Sequence, residues 1–212
     1  MPAARPGVAA ASAGFRPPGG LPRGHRAGDR PVARPVRLVT APVRVRRAVP
    51  ADADAAGAVF LACWHGSYAD LLPPPVRARY DGASAVALWR RVLAAAPDGV
   101  LVADVAGHGV RGVVRFGADP DDARRGHVFS LYVHPDAQGL GLGRTLLHAA
   151  AGQLRAGGYG TATLWVFAGN HAARAFYAGQ GWTPDGGTRV EEAYGEPEVR
   201  LRRHLPAVTP IQ

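Results

Sequence analysis

Three glycines at alternate positions, Gly139, Gly141 and Gly143, stand between a short apolar run, Leu131-Tyr132-Val133, and a helical pattern that opens at Leu142. The run stops at His134-Pro135, because proline favours an extended residue before it and withholds an N–H; His134 is read as part of that turn. Beyond the glycines, Leu142, Leu146, Ala149/Ala150 and Gln153/Leu154 recur on one helical face. Strand, glycine turn and helix together aim unpaired backbone N–H groups and the positive end of a helix at an anion. The glycines also remove the side chains that would keep phosphates from the backbone. The stretch reads as a phosphate cradle.

The residues around the cradle separate the families that use one. A Walker loop ends in Gly-Lys-Ser/Thr, and the chain contains no lysine. A dinucleotide fingerprint needs Gly-x-Gly-x-x-Gly and an acid roughly 20 residues on. Here Gly143 is followed by Arg144, and no Asp or Glu lies between Asp136 and Asp185. The remaining pattern, Gln/Arg-x-x-Gly-x-Gly/Ala, fits Gln138-Gly139-Leu140-Gly141-Leu142-Gly143 at every fixed position. Placed after a Leu-x-Val strand, it resembles the acetyl-coenzyme-A loop of the GNAT N-acetyltransferases. A second stretch, Asn170-His171-Ala172-Ala173-Arg174-Ala175-Phe176-Tyr177, resembles that family's Asn-x-x-Ala-x-x-x-Tyr helix. Upstream, Arg44 to Asp52 and the stretch from Trp64 through Tyr68 to Leu71-Leu72-Pro73 are similar to its first strand and first helices. The resemblance covers roughly residues 43 to 205.

It implies an α/β (α+β) fold, a mixed central sheet with helices on both faces, and direct acetyl transfer from acetyl-coenzyme A to a primary amine in a ternary complex. On that reading the backbone of Leu131, Tyr132 and Val133 holds the pantetheine arm and polarises the thioester carbonyl, while their side chains are core. The pyrophosphate sits on N–H groups from Gly139 to Arg144, through Leu140, Gly141, Leu142 and Gly143, with Gln138 at the entrance. Asn170 caps its helix and adds a coenzyme contact, and Ala173 is small enough to let that helix approach. Tyr177 matches the family's general acid. Many members carry a glutamate six residues before the Val of the Leu-x-Val end, acting as base; here that position is His127. A histidine is a competent base at neutral pH, with Glu191 or Glu192 as the alternatives. Trp64, His65 and Tyr68, with Glu191, lie where the acceptor pocket is walled. No metal is implied.

These residues need a frame. Val43 to Ala48 predicts a first strand, followed by a helix to about His65 with Asp52 and Asp54 at its start. A helical region interrupted at Pro73-Pro74-Pro75 resumes from Val76 to Ala96, with a break around Asp81-Gly82. Val100–Val105 and Val110–Phe116 form a hairpin across Ala106-Gly107-His108-Gly109. Asp119, Asp121 and Asp122 fall in a polar loop without calcium-loop spacing, which predicts a solvated turn. His127–Val133 is the central strand and Thr161–Val166 the next. Asn170 opens a helix ended by Gly179 and Gly181. Short strands near Trp182–Thr183 and Glu198–Arg203 close the domain, with a loop over Glu191–Gly195.

The 212 residues suffice for one domain with a full core. No apolar run approaches the roughly 18 residues of a membrane span, and no compact apolar segment at the start suggests a signal peptide. One cysteine, Cys63, excludes an internal disulfide and a cysteine metal cluster and is placed on a buried helix face. A cytoplasmic protein is expected. Residues 1–42 hold seven arginines against one aspartate, so +6 of the +9 net charge lies there. That segment is rich in Pro, Gly and Ala, has no apolar period, and is expected to be disordered. Residues 43–205 form the domain and 206–212 a C-terminal tail. GC-rich coding explains the arginines better than nucleic-acid binding, since no aromatics are interleaved with them. Two other functions remain open on the sequence: a non-catalytic acyl-coenzyme-A-binding regulatory domain, and a nucleic-acid- or ribosome-associated protein acting through the tail. The acceptor is a small-molecule or protein amine, and a homodimer is left open.

Overall fold

The computed structural model describes residues 41–191 and 194–205. The readings for residues 1–40, for Glu192 and for the 206–212 tail lie outside the described residues. Seven strands form one sheet: β1 (Val43–Arg47), β2 (Val100–Val105), β3 (Gly109–Ala118), β4 (Gly126–Val133), β5 (Thr161–Phe167), β6 (Thr183–Glu191) and β7 (Glu196–His204). Their spatial order is β1-β2-β3-β4-β5-β7-β6, and every pair is antiparallel except β4 with β5. That parallel pair is short. It joins Gly126–Val128 to Ala162–Leu164 and then stops, so the two strands part beyond Val128.

Two irregularities shape β4. Opposite β3, Arg115 faces Ser130 but Phe116 faces Val128, which leaves Phe129 as the extra residue of a β-bulge. Val128, Leu131 and Val133 pack into one apolar cluster with α4 (Leu142–Ala156) and α5 (His171–Ala178). Tyr132 belongs to the opposite cluster, with α1 (Ala53–His65) and α3 (Gly82–Ala95). The bulge puts Phe129 on the Tyr132 side as well, where its ring lies 4.9 Å from that of His127. The two helix pairs therefore cover opposite faces, as the sheet's alternation requires.

The helices follow their sequence signals. Asp81 caps α3 by accepting from the Ser84 N–H at 2.8 Å, while Ser84 Oγ accepts from the Asp81 N–H at 2.9 Å. This accounts for the break anticipated there. Pro74 does not interrupt a helix; it begins the four-residue α2 (Pro74–Arg77), where its missing N–H costs nothing. Asp52 is not a simple dipole acid either, since its carboxylate forms a two-pronged pair with Arg46 at 2.7 and 2.8 Å. At the start of the described chain the Pro42 carbonyl accepts from the Ala106 N–H at 3.0 Å, one step beyond the β1–β2 pairing.

Two expectations need correction. The closing strands are longer than the sequence suggests, because β6 runs through Pro184 and Gly186 by shifting register between Pro184 and Thr188. Glu191 accordingly ends a strand and is not in a loop. The Asp119 loop is not simply solvated, since Asp119 is 4% exposed.

Helices α1 and α3 approach through Gly57, whose missing Cβ would lie 3.1–3.2 Å from the backbone of Ala85 and Val86. Backbone cannot yield as a side chain can. Gly57→Val is expected to lower unfolding stability by about 1–3 kcal/mol through overpacking. Thermal unfolding reads this as a loss of several degrees in Tm; an unchanged Tm would mean that the contact is not close.

Candidate active site

The glycine turn takes the form the spacing predicts. Gly139 and Gly141 hold φ of +82° and +81°, in the left-handed region that side chains resist, and Gly141 is the N-cap of α4. From Gly139 to Arg144, six consecutive backbone N–H groups donate to no backbone oxygen among the described residues; the next, Thr145, returns to the Gly141 carbonyl at 3.1 Å. These amides border a cleft of about 170 Å³ lined by Val133, Gln138, the glycines, Phe176 of α5 and Gln180 in the turn after it. Phe176 and Gln180 went unnoticed in the sequence. Their signal was available: residues one and three positions from Tyr177 lie on neighbouring parts of the same helical turn.

Gln138 is anchored at the cleft's mouth, where its Nε2 donates to Ser67 Oγ at 3.1 Å and to the Val133 carbonyl at 3.2 Å. The Cys63 thiol donates to that same carbonyl at 3.1 Å, and burial pushes the thiol up to about 12. Two side chains thus hold the outer end of β4 where β5 has left it. The side chains of Leu131, Tyr132 and Val133 are core, as expected.

Helix α5 brings its residues in from the α4 side. Asn170 caps it, accepting from the Ala173 N–H at 3.0 Å, and Ala173 is fully buried. Tyr177 is 2% exposed, its ring against Phe176 and Trp182, and its hydroxyl has no hydrogen-bond partner among the described residues. Burial pushes this phenol well above its ordinary range, so it carries its proton at neutral pH.

His127 lies at the closed end of the gap between β4 and β5, on the α1/α3 face. Its Nδ1 is 2.8 Å from Thr163 Oγ1, and Thr163 in turn donates to Asp119 Oδ2 at 2.6 Å. Thr163 has a single proton and gives it to the carboxylate, so it accepts from His127 Nδ1–H. This fixes the neutral imidazole as the tautomer with a lone pair on Nε2. Asp119 Oδ2 is 3.8 Å from Nδ1. Burial alone would raise the Asp119 pKa, but the His127 and Thr163 side chains and the Asp121 N–H outweigh it and hold the carboxyl well below the usual range. Asp119 and Thr163 are partners of His127 that the sequence did not reveal, since they are 44 positions apart and meet only in the fold.

The remaining expected site residues divide. Trp64 and Tyr68 are fully enclosed; Trp64 donates through Nε1 to the Arg77 carbonyl at 3.1 Å, and Tyr68 packs on Phe167. Neither reaches the surface. His65 is exposed at the end of α1, with Nε2 3.1 Å from the Tyr80 carbonyl. Glu191 pairs with Arg189 at 3.2 Å. Glu198, unnoticed in the sequence, is 1% exposed and held by Arg189 at 2.7 Å, with Oε1 left without a partner. Among the described residues no group of three His, Cys, Asp or Glu is placed to hold a metal ion, and no helix is long and apolar enough to cross a membrane.

A mixed sheet opened between two central strands, with a glycine cradle at its mouth, defines an acyl-coenzyme-A N-acyltransferase fold. The chain belongs to the acetyltransferase (GNAT) family, whose model matches residues 64–182. It is similar to the mycothiol acetyltransferase of Beutenbergia cavernae, with 43% identity over 76 residues, 36% of this chain and 25% of that protein. The matched stretch thus spans a quarter of that relative. Among solved structures, the PaiA N-acetyltransferase of Thermoplasma acidophilum in complex with coenzyme A aligns with TM-score 0.63 at 15% identity, over 77% of this chain and 99% of that one. The yncA protein of Salmonella typhimurium with its cofactor acetyl-CoA aligns with TM-score 0.59 at 22% identity, over 80% and 98%. At these identities the structures establish the fold.

The buried carboxylate gives a stability test. Asp119 has a depressed folded-state pKa, so its contribution is present above the ordinary value of 3.8 and is lost as pH falls below it. Asp119→Ala is expected to cost about 1–3 kcal/mol at pH 7 by stranding the Thr163 hydroxyl. In urea unfolding the gap between variant and wild type should narrow at pH 3; an equal gap at both pH values would show that the charge plays no part.

Proposed function

We propose that this protein transfers the acetyl group of acetyl-coenzyme A to a primary amine. The observation that carries the reading is the run of unpartnered amides from Gly139 to Arg144, set where β4 has lost its β5 partner. Anionic phosphates fit such a run, and the glycine φ values leave them room. The coenzyme-bound structural neighbours and the mycothiol acetyltransferase relative support the choice of donor.

The bound coenzyme supplies a thioester, an acyl group already activated toward amines. The chain's own residues do the rest. Amides 139–144 take the pyrophosphate, and the β5-side backbone groups of Leu131–Val133 hold the pantetheine arm and polarise the acyl carbonyl. His127, its tautomer set by Thr163 and Asp119, accepts the proton of the attacking amine at Nε2 through water. Tyr177 gives its phenolic proton to the departing sulfur. One C–N bond forms and one C–S bond breaks. One proton leaves nitrogen for His127, and one reaches sulfur from Tyr177.

A steady-state assay over a panel of amines, with one acceptor of known pKa followed across pH, tests this reading. Tyr177→Phe should slow turnover by about 10²–10⁴-fold with little change in coenzyme affinity. His127→Ala should slow turnover, and His127→Glu should restore part of the rate. Coenzyme binding without turnover of any amine would instead make the protein a non-catalytic acyl-coenzyme-A-binding domain.

A further inference from the structure

The face of the sheet that carries His127 is the one packed by α1 and α3. Strand register sets out the polar part of that face, where His127, Thr163 and Ser130 are themselves buried. One row runs Gly117, His127, Thr163, Arg202 across β3, β4, β5 and β7. In the next, Arg115 faces Ser130 on one side of the gap and Trp165 faces Arg200 on the other. Arg189 and Arg200 stack on Trp165, with their guanidinium carbons 4.4 and 5.5 Å from the ring centre. Each of these two arginines has its acid: Arg189 has Glu198 and Glu191, and Arg200 has Asp185.

Arg115 breaks that rule. It is half-buried over the Phe129 ring at 4.5 Å, has no ion pair among the described residues, and its Nε is buried without a partner. Burial lowers its pKa, the mark of a guanidinium without a counter-ion. Directly across the strand pair, Ser130 is 1% exposed and its Oγ also lacks a partner. Two neighbouring polar groups, one cationic, are thus left unsatisfied on the face of the proposed base. Arg202, beside Thr163, likewise has no ion pair among the described residues.

We propose that the acceptor is an amine that also carries a carboxylate, held by Arg115 and Ser130 beside His127. This rests on the acetyl-transfer reading and narrows its substrate class. A carboxylate has two oxygens, one to accept from the guanidinium and one from the Ser130 hydroxyl, which satisfies both orphans at once. Same-face residues on a strand are about 7 Å apart, a span that an amino acid and a bridging water cover. A polyamine would bring a second positive charge against Arg115 and Arg202.

Matched acceptor pairs test this: phenylalanine with phenethylamine, 4-aminobutyrate with butylamine, and alanyl-glutamate with alanyl-glutamine. The first two pairs report a free amino acid and the third an acidic peptide. In at least one pair, kcat/KM for the richer carboxylate member should exceed that of its partner by about tenfold or more. Arg115→Gln should shrink the ratio to about threefold or less through KM, and Arg115→Lys should retain part of it, with thermal unfolding checking that both variants fold. Equal turnover within every pair, or a preference that survives Arg115→Gln, would overturn the proposal while leaving acetyl transfer standing. If no pair is acetylated, calorimetry on coenzyme-A-loaded protein compares N-acetylphenylalanine with N-acetylphenethylamine. Carboxylate-selective binding lost in Arg115→Gln would then keep the anion site and remove the acetyl-transfer reading; no selective binding would overturn the site.

Discussion

The structure depends on one interruption: β4 and β5 stop pairing after Val128 and Leu164. A central strand that loses a neighbour exposes backbone donors and acceptors in the middle of a sheet, where they are costly unless something else meets them. The chain meets only some of them. Cys63 and Gln138 converge on the Val133 carbonyl, and the bulge at Phe129 bends the strand away. What remains is an edge that an extended ligand can complete, with the amides at the start of α4 lying in line beyond it.

The two faces of that gap differ. On one, α4 and α5 bring apolar packing, the glycine cradle and the buried, protonated phenol of Tyr177. On the other, the face packed by α1 and α3, His127 and Trp165 are buried beside the half-buried guanidinium groups of Arg115 and Arg200. A thioester lying in the gap would meet its proton donor from one face and its acceptor and base from the other. On the proposed mechanism the sheet would separate the two proton transfers; the partners of His127 come from β5 and from the loop after β3.

The readable part of this arrangement was local in sequence. The glycines near Gly141, the cap at Asn170 and the apolar spacing of α4 each signal themselves within a few residues, and all lie where they were expected. The contacts that define the acceptor side are not local. Asp119, His127 and Thr163 meet across three strands, and no spacing announces that a loop aspartate will turn inward. Phe129 is an ordinary strand residue until the register slips around it. The burial of Trp64 and Tyr68 was not legible for a related reason: large aromatics are enclosed or exposed according to packing, which spacing does not announce. Pro184 and Gly186 hid the length of β6, since strand interiors seldom tolerate either.

Amide hydrogen exchange on the intact protein, with and without coenzyme A, tests the central claim most directly. If the coenzyme completes the β4 edge and sits on the unpartnered amides, adding it should slow exchange at Gly139–Arg144 and in Leu131–Val133, and leave β1 and β2 unchanged. Protection confined to other segments, or none at saturating coenzyme, would contradict the account.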